Sequence, residues 1–168
     1  MNRSDCAVWF DDFYAVDAEG VRSYARATRA EHVPYASSRA ISHDTAVPPL
    51  IVAQPVFTVA ARLMAEVIDD FNVGRLLHVS QTVRQVAPIR IGDIVSLGAT
   101  IADRVTKAGI DLFTVDCVVA VGNDARIETS SVVAYAGGAD VDVEAIDAAS
   151  RGVVMHDAVL GDVEASAR

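Results

Sequence analysis

Little in this chain suits the chemistry of metals, thiols or phosphates. Cysteine occurs twice in 168 residues, as Cys6 and Cys117. That is no disulfide framework and no metal-binding pattern, and it suits a reducing cytoplasm. The histidines, His32, His43, His78 and His156, show no metal-ligand spacing. Gly-rich phosphate loops, nucleophile elbows and Cys–His pairs are missing. No cofactor and no metal are therefore expected. Basic residues are also scarce: 14 Lys and Arg stand against 23 Asp and Glu, a formal net charge of −9. Nucleic acid is bound through a basic stripe that replaces counterions, so it is an unlikely partner. An anionic membrane surface is disfavoured for the same reason. No apolar run approaches the ~20 residues that cross a bilayer. The opening "MNRSDCAVWFDDFYAV" has no basic segment followed by a long apolar one, so no signal peptide is expected.

What is present is apolar. Hydrophobic residues make up 52% of the chain, enough for one domain with a sizeable core. "DAEGVRSYARAT" predicts a short helix capped by Asp17, with Val21, Tyr24, Ala25 and Thr28 on one face. "QPVFTVAARLMAEVIDDF" predicts a longer one, with Pro55 at its first position. There Val56, Val59, Ala60, Leu63, Met64, Val67 and Ile68 make a broad apolar face, extended by Phe57 and Ala61, so the helix should be largely buried. Strand-like segments follow. "LLHVSQTVRQVAPI" alternates, with Val79, Gln81, Val83 and Gln85 on one side and His78, Ser80, Thr82 and Arg84 on the other. "GDIVSLGATIADRVTKAG" begins as a strand and ends in a turn at Lys107–Gly109; the remainder to Gly137 reads as two strands joined at Gly122-Asn123-Asp124. Together they suggest one antiparallel sheet. From residue 139 the chain is acidic, with seven Asp or Glu against Arg151 and Arg168, so residues 139–168 read as an appendage to a domain spanning 1–138.

A short helix, a Pro-containing loop, a buried helix and then an antiparallel sheet resemble the hot-dog fold. Over residues 10–137 the chain resembles the MaoC-like (R)-specific hydratase/dehydratase family. The most telling stretch is "VAPIRIGDIVSLGATI", where Pro88 ends a ladder and Gly92-Asp93 permits a tight turn. The resemblance implies an α+β class, a single hot-dog domain with its sheet wrapped around a long central helix. It also implies a dimer, homo- or heteromeric, since edge strands need cover.

Hydration of an enoyl thioester needs a base for water, an acid for the α-carbon and donors for the enolate oxygen. The family supplies the first two from a loop of the pattern Asp-x-Asn-Pro-x-His. Anchored on Pro34, that pattern puts Glu31 at the Asp, Val33 at the Asn and Ala36 at the His. Its second motif, Ala-His-Gly at the start of the central helix, falls on Ala53-Gln54-Pro55, and Pro55 has no N–H to donate. The chain is thus also similar to the non-catalytic subunits of mycobacterial-type heterodimeric fatty-acid dehydratases, whose partner supplies the Asp and His. Candidate catalytic groups are Glu31 as a carboxylate, His32 or His43 as a substitute imidazole, Tyr35 as a donor and Gln54 at the helix start. Each also has a plainer role, as a solvated loop residue or as core cover. Phe57, Ala60, Ala61 and Met64 are candidates for lining an acyl tunnel, with small residues leaving room for a bulky chain. A substrate on an acidic carrier calls for a basic patch, for which Arg84, Arg90 and Arg104 are available.

Four functions follow: a subunit that binds an acyl or polyketide chain, CoA- or carrier-linked; a repurposed enzyme that cyclises such a chain by holding reacting atoms together; a self-sufficient hydratase using Glu31 with a nearby His; or a structural protein.

Overall fold

The structure is a computed structural model and describes residues 1–30, 35, 41–107 and 110–137. Glu31, His32, the turn at 108–109 and the acidic segment with its boundary at 138/139 lie outside the described residues. Among the described residues, helices α1 (Ala18–Thr28) and α2 (Ala53–Val67) accompany five strands: β1 (Val8–Ala15), β2 (Leu76–Gln85), β3 (Ile94–Lys107), β4 (Ile110–Val121) and β5 (Asp124–Tyr135). All pairings are antiparallel, in the order β1-β3-β4-β5-β2.

Alternation explains the core. Val95, Leu97 and Ala99 of β3, Phe113, Val115, Cys117 and Val119 of β4, and Ile127, Val133 and Tyr135 of β5 share one face and are buried. They form one cluster with Val56, Val59, Leu63 and Met64 of α2. Each such side chain fully withdrawn from water contributes about 1.5–3 kcal/mol before entropy is counted. The expected sheet around a buried helix is what the chain builds.

Details of α2 differ from expectation. The helix begins at Ala53, led in by a 3-10 turn over Pro49–Val52, so Pro55 stands third rather than first. It is tolerated there because N–H groups of the first turn have no intrahelical acceptor. The helix stops at Val67, and Ile68 is already extended. Pro49–Val67 as one helical stretch has 19 residues and a mean hydropathy of 1.5, long and apolar enough to cross a membrane. This corrects the expectation that no run approaches that length; half of the stretch is buried inside the fold, as a core helix must be. At α1, Asp17 accepts from the Gly20 N–H at 2.7 Å, and Val21 and Ala25 are buried, while Thr28 lies outside the buried face.

Two strand readings need correction. Sequence reasoning missed β1, because Asp11-Asp12 interrupts its apolar residues. Asp12 adopts φ 50, the pairing with β3 shifts between Phe10 and Tyr14, and the Asp12 N–H bonds the Ser96 hydroxyl at 3.0 Å. The even alternation read along β2 also fails. Its register against β5 shifts between His78 and Ser80, leaving Val79 as the extra residue of a bulge. Leu76 and His78 lie opposite Tyr135 and Val133, then Gln81 and Val83 lie opposite Ser131 and Thr129. These partners are all buried, so His78 shares the helix-facing side with Gln81 and Val83, not the far side with Thr82 and Arg84.

The turn before β3 forms as expected. The Asp93 N–H bonds the Arg90 carbonyl at 3.2 Å, and the Asp93 carboxylate accepts the Arg90 N–H at 2.7 Å. Gly92 takes φ 93, the third-position geometry that a type II turn reserves for glycine.

Candidate functional site

The flank of α2 carrying Phe57, Ala60, Ala61 and Met64 does not close fully onto the sheet. Between them runs a narrow apolar cleft with about 40 Å³ of room inside it. Val115, Ser131 and Val133 form the floor, and Val73 and Leu76 close one end. Alanine at positions 60 and 61 keeps the gap open where a leucine would fill it. Ser131 is the one polar side chain of this lining. A guest in it would meet carbon, each buried methylene contributing about 0.8 kcal/mol.

The polar candidates stand elsewhere. Gln54 is exposed, in a shallow recess on the opposite flank of α2 with Phe13, Tyr14, Pro55, Thr58 and Arg62. The Arg62 guanidinium lies over the rings of Phe10 and Phe13, at 5.3 and 5.6 Å. Tyr35 packs against the core edge and donates its hydroxyl to the Ala46 carbonyl at 2.6 Å; partial burial raises its pKa. His43 is exposed, and its Nδ1 lies against the Gly92 turn, 3.0 Å from where a β-carbon would be. Arg84 projects from the sheet's outer face and pairs with Glu128, which holds that carboxyl below its usual range together with a hydrogen bond from the Met1 amino group, the larger cause. Arg90 donates to the Asp44 carbonyl, and Arg104 pairs with Asp111 at 2.7 Å. The three arginines are thus locally engaged instead of forming one patch. Among the described residues, no grouping of His, Cys, Asp and Glu could hold a metal ion.

The comparisons with known proteins bear on the family and the fold. Residues 7–130 match the family model described as "FAS1-like, dehydratase domain region". The chain belongs to that family. It is 30% identical over 131 residues to a UPF0336 protein of Streptomyces griseus, covering 73% of this chain and 81% of that one. Among solved structures, a MaoC-like dehydratase superposes with a TM-score of 0.71 at 20% identity, over 88% of this chain and 46% of that one, about half its length. The truncated HadBC complex, a (3R)-hydroxyacyl-ACP dehydratase of Mycobacterium tuberculosis, gives 0.61 at 18% identity, over 76% of this chain and 90% of that one. The fold is the hot-dog fold of MaoC-like dehydratases.

Within this dehydratase-family chain, sequence reasoning missed the sheet side of the cleft: Val115, Ser131, Val133, Val73 and Leu76. Alternation marks Val115 and Val133 as inward-facing residues. It does not say which stretch of which strand lies under Ala60.

Proposed function

We propose that the chain binds an acyl or polyketide chain as a subunit of a hydratase or dehydratase, and pairs with a second hot-dog subunit that supplies the Asp and His. One observation carries this reading: a carbon-lined cleft sits beside the central helix, while two of the family's motif positions, at Ala36 and Pro55, hold residues without the required chemistry. Ala36 cannot transfer a proton, and Pro55, in the first turn of α2, has no N–H to offer a thioester oxygen. Loss of one positioned acid or base costs on the order of 10²–10⁴-fold in rate. Loss of one oxyanion donor costs on the order of 10²–10³-fold.

The partner side of the proposal rests on β2. Among the described residues this strand pairs only with β5 and nothing pairs with its other edge, and Leu77 is 67% and Val79 55% exposed. An edge of ten residues carrying bare apolar side chains needs cover. The two unpaired cysteines fit a cytoplasmic setting, and the acidic segment 139–168 is assigned as an appendage.

The test is a pair of assays on the pure full-length protein: hydration of crotonyl-CoA, and calorimetric binding of acyl-pantetheine chains. We expect binding without brisk hydration, and hydration once a hot-dog partner with an intact Asp/His pair is co-expressed. Brisk hydration by the protein alone, abolished in Glu31→Gln, would reverse the reading to a self-sufficient hydratase. Conversion of a polyketide to a cyclised product without hydration would make it a cyclase. Failure of both assays would leave only a structural role.

A further inference from the structure

The outer face of the sheet, turned away from α2, is covered at one end and bare at the other. Phe113, Cys117 and Val119 of β4 face the helix, so Leu112, Val118 and Ala120 face outward. At the covered end Val118 is 1% exposed and Ala120 3%. Residues from the start of the chain lie over them. Met1, Asn2, Arg3 and Trp9 share a groove with both, and Cys6 and Trp9 sit on Gly98, the β3 residue opposite Val118. At the other end Leu77, Ala134, Leu112 and Val105 stand in cross-strand register over β2, β5, β4 and β3. Val132 and Ile110 flank this row on the same side. Here Leu77 is 67%, Val105 41% and Ile110 42% exposed. Single apolar residues on a surface are ordinary, but a row continuous across four strands marks a contact.

The path of the chain points to what makes that contact. Strand β5 ends at Tyr135, the neighbour of Ala134, so the backbone leaves the sheet at the bare end. The Ala136 N–H bonds the Arg75 carbonyl at 3.3 Å, which holds the exit beside the start of β2. Residues 139–168 follow, outside the described residues, and Val153, Val154, Met155, Val159 and Leu160 make their densest apolar stretch. The row spans three strand spacings, roughly 14 Å. The residues between Gly137 and Val153 can extend to about 50 Å, ample for the chain to double back. Lys107, opposite Ile110, offers this acidic segment a cation at the border of the row. We propose that residues 153–160 fold back over Leu77, Ala134, Leu112 and Val105, so that the chain covers both ends of the outer face itself. The partner subunit proposed above is a separate contact: it meets the unpaired edge of β2 in the plane of the sheet, whereas this segment meets the face.

The experiment is NMR on the full chain with methyl-labelled Leu, Val, Ile and Met. Nuclear Overhauser contacts are expected between Leu77, Leu112 or Val105 and Met155, Val159 or Leu160. They should vanish in a full-length variant carrying Met155→Asp with Leu160→Asp, while the methyl signals of the core residues stay in place. The uncovered row should then bind more anilinonaphthalene sulfonate, a dye that reports exposed apolar surface. Absence of contacts between residues 139–168 and the row would overturn the proposal, as would dye binding unchanged by the double substitution. In a mixture of labelled and unlabelled chains the contacts should persist within each labelled chain. Contacts found only between different chains would make the cover a second copy and overturn it equally.

Discussion

The two flanks of α2 are built from one helix and face different worlds. Towards β4, β5 and β2, Phe57, Ala60, Ala61 and Met64 border an apolar cleft. Towards β1, Gln54, Thr58 and Arg62 border an open recess shared with Phe13, Tyr14 and Pro55, where Arg62 lies over two phenylalanine rings. The polar candidates Gln54, His43 and Tyr35 do not line that cleft. Glu31 and His32 lie outside the described residues, so the separation holds among the described candidates.

That separation can be broken from either side. Met64 is 1% exposed and serves both the core and the cleft, so Met64→Ala should cost about 2–5 kcal/mol of stability in a urea titration. Ala60→Trp should leave the fold standing, because Ala60 is only partly buried, but fill the cleft and weaken acyl-pantetheine binding about 100-fold; a loss at the high end of pocket effects is expected because the whole chain is displaced. Unchanged affinity would place the chain elsewhere. Tyr35→Phe removes the hydroxyl held by the Ala46 carbonyl and should cost about 1 kcal/mol, measured by the same titration. Gln54→Ala, at an exposed helical position, should stay within about 0.5 kcal/mol of the parent. A much larger loss there would show that the amide is anchored after all and sharpen the case for the polar flank.

Much of the fold was legible because it is written locally. The apolar breadth of α2, the turns at Gly92-Asp93 and Gly122-Asn123, and the alternation of β4 and β5 each sit within a few residues. Strand β1 was not legible, because Asp12 at φ 50 interrupts the period on which strand recognition depends. The helix side of the cleft was readable from Phe57, Ala60, Ala61 and Met64, since they recur at helical spacing. Its floor was not, because Val115, Ser131 and Val133 reach α2 only through strand register, a long-range property. Arg84 was a reasonable choice for an anionic carrier by charge alone. Its cross-strand neighbour Glu128 could be known only from the pairing of β2 with β5.

The bulge at Val79 has a consequence for how this sequence can change length. Inward-facing residues of β2 are spaced by two from Leu76 to His78, by three from His78 to Gln81, and by two again to Val83. The bulge absorbs the odd step. Losing one residue between His78 and Gln81 would therefore keep all four in phase, simply converting the strand to regular alternation. Losing one elsewhere between Leu76 and Val83 would turn part of the strand inside out, sending polar residues towards the helix and apolar ones towards solvent. Tolerance to deletion in β2 should be confined to that gap.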